Sequence, residues 1–89
     1  MEMLECSDKE DTLQDKRLNV AFQALLKETA PKRKQKLRDA QRAWLAFRKV
    51  NCEFYADPDG GTSSAIATAS CFLSATANRA KELEDLKFK

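Results

Sequence analysis

Apolar residues recur along this chain at steps of three and four and nowhere alternate with the period of two that a strand requires. In the first third, Leu18, Phe22, Leu25 and Leu26 form such a stripe, widened by Val20 and Ala21. Upstream, Ser7 to Glu10 has the serine-x-x-glutamate form of a capping box, with Cys6 and Leu4 allowing a start one turn earlier. The pattern predicts a first helix over about 7–28.

A second stripe runs through Leu37, Ala40, Trp44, Phe47, Asn51 and Phe54, flanked by Leu45, Cys52 and Tyr55. So broad a face predicts a helix over about 31–56 buried on more than one side, with Trp44 and Phe47 as core anchors. Thr29 and Pro31 supply an N-cap and a first-turn proline for it. The third stripe is Ile66, Ala69, Phe72 or Leu73, Thr76, Ala80, Leu83 and Leu86, predicting a helix over about 64–86 capped by Ser63 or Ser64. Its first half is rich in alanine and serine, which lets a neighbouring backbone approach closely. Three helices with short connections pack most simply as an up-down-up antiparallel bundle, so the expected fold is all-α, one domain spanning 1–89.

Composition sharpens this. The two glycines, Gly60 and Gly61, and the two prolines, Pro31 and Pro58, all fall between stripes, as punctuation should. A chain of 89 residues buries only a marginal core, and such domains often carry a covalent or oligomeric aid. No segment approaches the length of a membrane span. The opening MEMLECSDKEDT lacks the basic-apolar-small succession of a signal peptide, which fits an intracellular protein or one whose leader lies ahead of this chain.

The three cysteines are the obvious covalent candidates. In an up-down-up bundle Cys52 and Cys71 both sit roughly 8 to 10 Å from the same end, at 1.5 Å per residue, and can face one another. A bridge there closes a loop of about 20 residues and stabilises by roughly 3 kcal/mol through chain entropy. Cys6 reaches the same end, so Cys6 to Cys52 competes, and three reduced thiols buried as small hydrophobes are the third alternative. With no histidine and no C-x-x-C pair, the thiols make a poor zinc set, and no metal or cofactor is expected.

Taken in order, EMLEC, DKRLNVAFQALL, LRDAQRAWLAFRKVNCEF, GGTSSAIATASC and the T-x-x-R-x-x-E-L run at Thr76 to Leu83 resemble the lysozyme-inhibitor LprI-like family of bacterial envelope and secreted proteins. The resemblance covers Glu2 to Leu83. It implies that Cys52 pairs with Cys71, and that Cys6 pairs with a further cysteine ahead of it, beyond a leader, so that this chain begins after both. It also implies that Gln41, Arg42, Trp44, Arg48 and Arg79 form the family's structural signature. A periplasmic or secreted location follows, since disulfides persist there. One departure is the basic segment Lys32, Arg33, Lys34, Lys36 and Arg38, whose cations oppose the macrodipole at a helix N-terminus. It is either a solvated turn or an anion-facing patch.

Catalysis has little to work with, because a chain without histidine lacks the commonest general base and its carboxylates are scattered. The Asp57 to Gly61 stretch lacks the further ligands of an EF-hand, and GGT lacks the lysine of a phosphate loop. The expected function is therefore non-enzymatic. First comes a protein-binding domain that inhibits a lysozyme or related cell-wall hydrolase, with Asp57, Asp59, Gly60 and Gly61 as the candidate binding loop. The alternative is an envelope interaction module, a toxin partner or part of a larger secreted protein, with no effect on lysozyme. Nucleic-acid binding through the basic segment, with Trp44 and Phe47 stacking on bases, is the weakest reading, because both rings lie on the apolar stripe. The chain is expected to be a monomer or a weak dimer. Gln41 and Arg48 border the stripe and should find hydrogen-bond partners, with Arg48 in a half-buried ion pair.

Overall fold

The computed structural model describes the backbone of residues 2–57 and 59–87 and the side chains of residues 12–57 and 59–86. Helices α1 (Glu2–Glu28), α2 (Pro31–Glu53) and α3 (Gly61–Lys87) follow the three stripes, and no strand occurs among the described residues. α1 begins ahead of Ser7, so the serine lies inside the helix. The side chains of Ser7 and Cys6 are outside the described residues.

The chain runs up, down and up. Arg17 on α1 meets Glu84 on α3, and Asp15 and Thr76 both meet Arg48, so α1 and α3 are parallel. α2 is antiparallel to α3, since Cys52 joins Cys71 near one end while Gln41 meets Arg79 nearer the other. α1 and α3 make the closest packing, around Leu18, Ala21, Ala80 and Leu83, all buried. Ala21 and Ala80 have too little bulk to hold the backbones apart. Leu83 is fully enclosed, which at full burial contributes about 1.5–3 kcal/mol. Phe22, Leu25 and Trp44 pack against this core.

α2 departs from expectation. Only Gln41 and Cys52 of this helix are buried, and Trp44 is half-buried. Ala40 and Asn51 are exposed, as are Phe47 at 62% and Phe54 at 84%. Phe47 is therefore no core anchor: the helix turns Gln41, Trp44, Arg48 and Cys52 toward α3 and leaves Phe47 pointing to solvent. Val20, two residues from buried Leu18, lies on the outer side of α1 and is exposed, and Ile66 and Leu86 border solvent at the ends of α3.

The connections also differ from the predicted caps. Thr29 does not cap α2; its hydroxyl donates back to the Leu25 carbonyl at 2.6 Å and closes α1. Ala30 takes the N-cap position without a side-chain hydrogen bond, and Pro31 supplies the preset φ at the helix start. α2 ends at Glu53, three residues short of expectation, and α3 starts at Gly61, ahead of Ser64. Ser64 is occupied elsewhere, as described below.

Across the outside of the α1–α3 seam, Arg17 grips Glu84 with Nη2 at 2.6 Å and Nε at 3.0 Å. That hydrogen bond raises the Arg17 pKa above its ordinary value and lowers that of Glu84 below the usual carboxylate range. The pair lies at the solvent-facing edge, with both side chains 40% exposed, so it aligns the helices more than it stabilises them.

Candidate binding surface

The α2–α3 end is built around a connection tied down on both sides by contacts to α3. Cys52, completely buried, bridges to Cys71 with the Cα atoms 5.5 Å apart. Just beyond, the Ser64 hydroxyl donates to the Tyr55 carbonyl at 2.8 Å and accepts from the Asp57 amide at 2.5 Å. One side chain on α3 thus ties down the chain leaving α2. The Asp57 carboxylate accepts the Asp59 amide at 2.9 Å, and the Asp57 carbonyl accepts the Gly60 amide at 2.9 Å, closing the turn. The Asp59 carboxylate has no partner of its own among the described residues, and both aspartates are exposed. Phe54 and Tyr55 meet edge to face at the rim, ring centroids 5.8 Å apart.

The two glycines serve different needs. A Cβ on Gly60 would lie 2.7 Å from the Ser64 Cβ and 3.3 Å from Asp57, while Gly61 has open space but φ +57°. Gly60→Ala is expected to cost about 1–3 kcal/mol by crowding, and Gly61→Ala about 1–2 kcal/mol by left-handed strain. Gly61→Asn should recover much of the second loss, because Asn tolerates that conformation, while Gly60→Asn should recover nothing. Thermal melts of the four variants check this, and equal melting of both asparagine variants would contradict it.

Four of the five residues singled out as a signature, Gln41, Trp44, Arg48 and Arg79, form the seam between α2 and α3. Trp44 is covered by two guanidinium groups, Arg48 at 5.1 Å and Arg79 at 5.9 Å from the ring centroid. Arg48 also lies 5.5 Å from the Phe72 ring, donates to the Thr76 hydroxyl at 2.8 Å and reaches Asp15 at 3.3 Å. Arg79 Nε donates to the Gln41 side-chain oxygen Oε1 at 3.0 Å, and the guanidinium pairs with Glu82. Gln41, Trp44 and Arg48 lie three and four residues apart on α2, and Phe72, Thr76 and Arg79 four and three apart on α3, so each set shares a face. Arg42 stands outside this seam, exposed and unpaired among the described residues. Phe72 and Thr76 are on the stripe that the sequence marks but are not among its candidate site residues, and Asp15 carries no signal in the sequence at all. The matching spacing of residues 72, 76 and 79 against 41, 44 and 48 was the available signal for the first two.

This arrangement holds helices together. Half-buried, packed against the core and lying beside two guanidinium groups, the Trp44 ring is taken up by the seam. The basic segment does not converge: Lys32, Arg33, Lys34, Lys36 and Arg38 spread around the first turns of α2, with Lys34 half-buried and the others exposed. Arg33 and Lys36 edge a shallow groove of about 620 Å³ over Leu25, Leu37 and Leu86. No cluster of metal-ligating side chains gathers among the described residues, and no described helix is long and apolar enough to cross a membrane.

Comparison with curated proteins and with solved structures gave no match. The family comparison did: the profile described as "Lysozyme inhibitor LprI" matches residues 1–83 of the 89. The chain belongs to the lysozyme inhibitor LprI family.

Proposed function

We propose that this protein is a non-enzymatic inhibitor of a lysozyme or related cell-wall hydrolase, working in the bacterial periplasm or outside the cell. Family membership over residues 1–83 is the observation that carries the reading. The Cys52–Cys71 disulfide supports the compartment, because such bridges persist where the environment is oxidising.

Inhibition needs a rigid projection that enters or covers a substrate cleft. The Tyr55 to Gly61 loop qualifies: the disulfide and the Ser64 hydroxyl hold its base, and Tyr55 offers an aromatic edge beside two exposed carboxylates. Preformed loops lose little entropy on binding, and tyrosine is among the residues enriched at interface hot spots. The net charge of +2 provides no overall steering toward a cationic hydrolase, so attraction must be local, at Asp57 and Asp59. Asp57 is already engaged with its own loop, which leaves Asp59 as the carboxylate available to a partner's cation.

The test is lysis of a cell-wall substrate by lysozymes of several types with increasing amounts of the purified protein. At least one enzyme should be inhibited stoichiometrically, and Asp59→Lys or Tyr55→Ala should weaken inhibition at least about tenfold, roughly 1.4 kcal/mol. Undiminished lysis at excess protein for every type would reject the function. Full inhibition by both variants would reject the loop as its seat.

A further inference from the structure

The solvent face of α2 carries a stripe that nothing in the fold uses. Ala43, Phe47, Val50 and Phe54 recur at steps of four, three and four, and all are exposed, Phe47 at 62%, Val50 at 69% and Phe54 at 84%. Phe54 keeps helical backbone angles, φ −58° and ψ −32°, so the spacing holds past the end of the helix. Alternating steps of three and four are the seam of a helix that pairs with another helix.

From this stripe and the charges beside it, we propose that the protein self-associates as a twofold dimer through antiparallel α2 helices. Place the twofold axis between residues 48 and 49. Phe47 of one copy then lies level with Val50 of the other, and Ala43 level with Phe54, so every layer sets a large side chain against a smaller one. The charges agree with this register. Arg42 and Glu53 lie on the same flank of the stripe, about 20° apart around the helix, and the axis brings Arg42 of one copy within roughly 3 Å axially of level with Glu53 of the other. Both are exposed, and neither has an ion-pair partner among the described residues of its own chain. The twofold makes that cross-pair twice. It also separates the two basic segments, Lys32 to Arg38, to opposite ends, each beside the end where the other copy carries Glu53, Asp57 and Asp59. A parallel pairing would instead set the basic segments side by side. On its other flank the stripe meets the shallow groove between α2 and α3, where Ala67, Ser70 and Ser74 leave room for a second helix.

Four such layers and two ion pairs fall short of the roughly 1,600 Å² of a tight complex, so the association is weak and reversible. Sedimentation on a Cys6→Ser background, which removes the Cys6 thiol as a crosslink, should show the average mass climbing from 10.1 kDa toward twice that value between about 10 µM and about 1 mM. Phe47→Glu should hold the mass at the monomer value with unchanged helicity, because that side chain contributes nothing to the core. Arg42→Glu should weaken association at least threefold, and Arg42→Glu with Glu53→Arg should restore it. A mass that stays monomeric throughout, or that rises equally in Phe47→Glu, overturns the dimer. So does a monomer whose hydrolase inhibition disappears with Phe47→Glu, which would assign the stripe to the enzyme instead. The mass measurement uses no hydrolase, so the dimer and the inhibitory reading fail independently.

Discussion

Replacing Cys52 and Cys71 together by alanine should lower the thermal unfolding midpoint by about 15 °C. The bridge joins residues 19 apart, and a loop of that length removes about 3 kcal/mol of conformational freedom from the unfolded chain. For a domain of this size each kcal/mol moves the midpoint by roughly 4–8 °C. The effect should be large for a second reason, since Cys52 is one of only two buried residues on α2. Without the two cysteines, that end of α2 keeps, among the described residues, the Ser64 contacts beyond the helix, while the weak donation from Asn51 to the Cys71 sulfur is lost with the bridge. Dithiothreitol should therefore reproduce the loss in the wild-type protein and do nothing further to the double variant. If the oxidised protein and the double variant melt together, the bridge is not a main source of stability.

Arg48→Ala should cost about 2–3 kcal/mol, whereas Arg48→Met should recover more than half of that. The side chain is 18% exposed, and its guanidinium touches all three helices, through Asp15, Trp44, Phe72 and Thr76. Cation–π contact at such a site contributes about 0.5–2 kcal/mol, and a hydrogen bond from a charged donor about 1.5–3 kcal/mol. Methionine keeps the aliphatic packing between the two rings. It also avoids a cost that arginine carries, because Nε is buried with no hydrogen-bond partner among the described residues. Thr76 is not stranded by either change, since its hydroxyl still donates to the Phe72 carbonyl at 2.8 Å. Urea unfolding of the two variants decides the point. Equal midpoints for the two variants would mean that the stem of Arg48 contributes nothing to the seam, and any loss both share against the wild type would belong to the guanidinium.

The helices were legible because Pro31, Gly60 and Gly61 interrupt strong three-and-four periodicity, and the core of Leu18, Ala80 and Leu83 lies on the stripes that periodicity marks. α2 was harder for a physical reason. Its apolar residues cover a broad arc, and periodicity shows where such an arc lies without showing which part of it another helix will cover. That choice rests with Trp44 and Arg48, whose partners Phe72, Thr76 and Asp15 are far away in sequence. Phe47 was consequently placed in the core when it belongs on the surface. Ser63 or Ser64 was expected to cap the third helix; the real partners of Ser64, the backbone of Tyr55 and Asp57, lie across a turn whose geometry is set by the two glycines. Of the candidate loop, the residue types could be read from the sequence, but not that Asp57 spends its carboxylate on the Asp59 amide.

The parallel pairing of α1 with α3 also governs the order of assembly. Adjacent helices usually find each other first, because only a short segment must close between them. Here the partners of Leu18 and Ala21 are Ala80 and Leu83, separated from them by the whole of α2. On a chain made from its N-terminus, α1 is complete while its main docking surface does not yet exist. Its greasy side remains uncovered until the final turns of α3 emerge, and those turns are the closing piece of the fold.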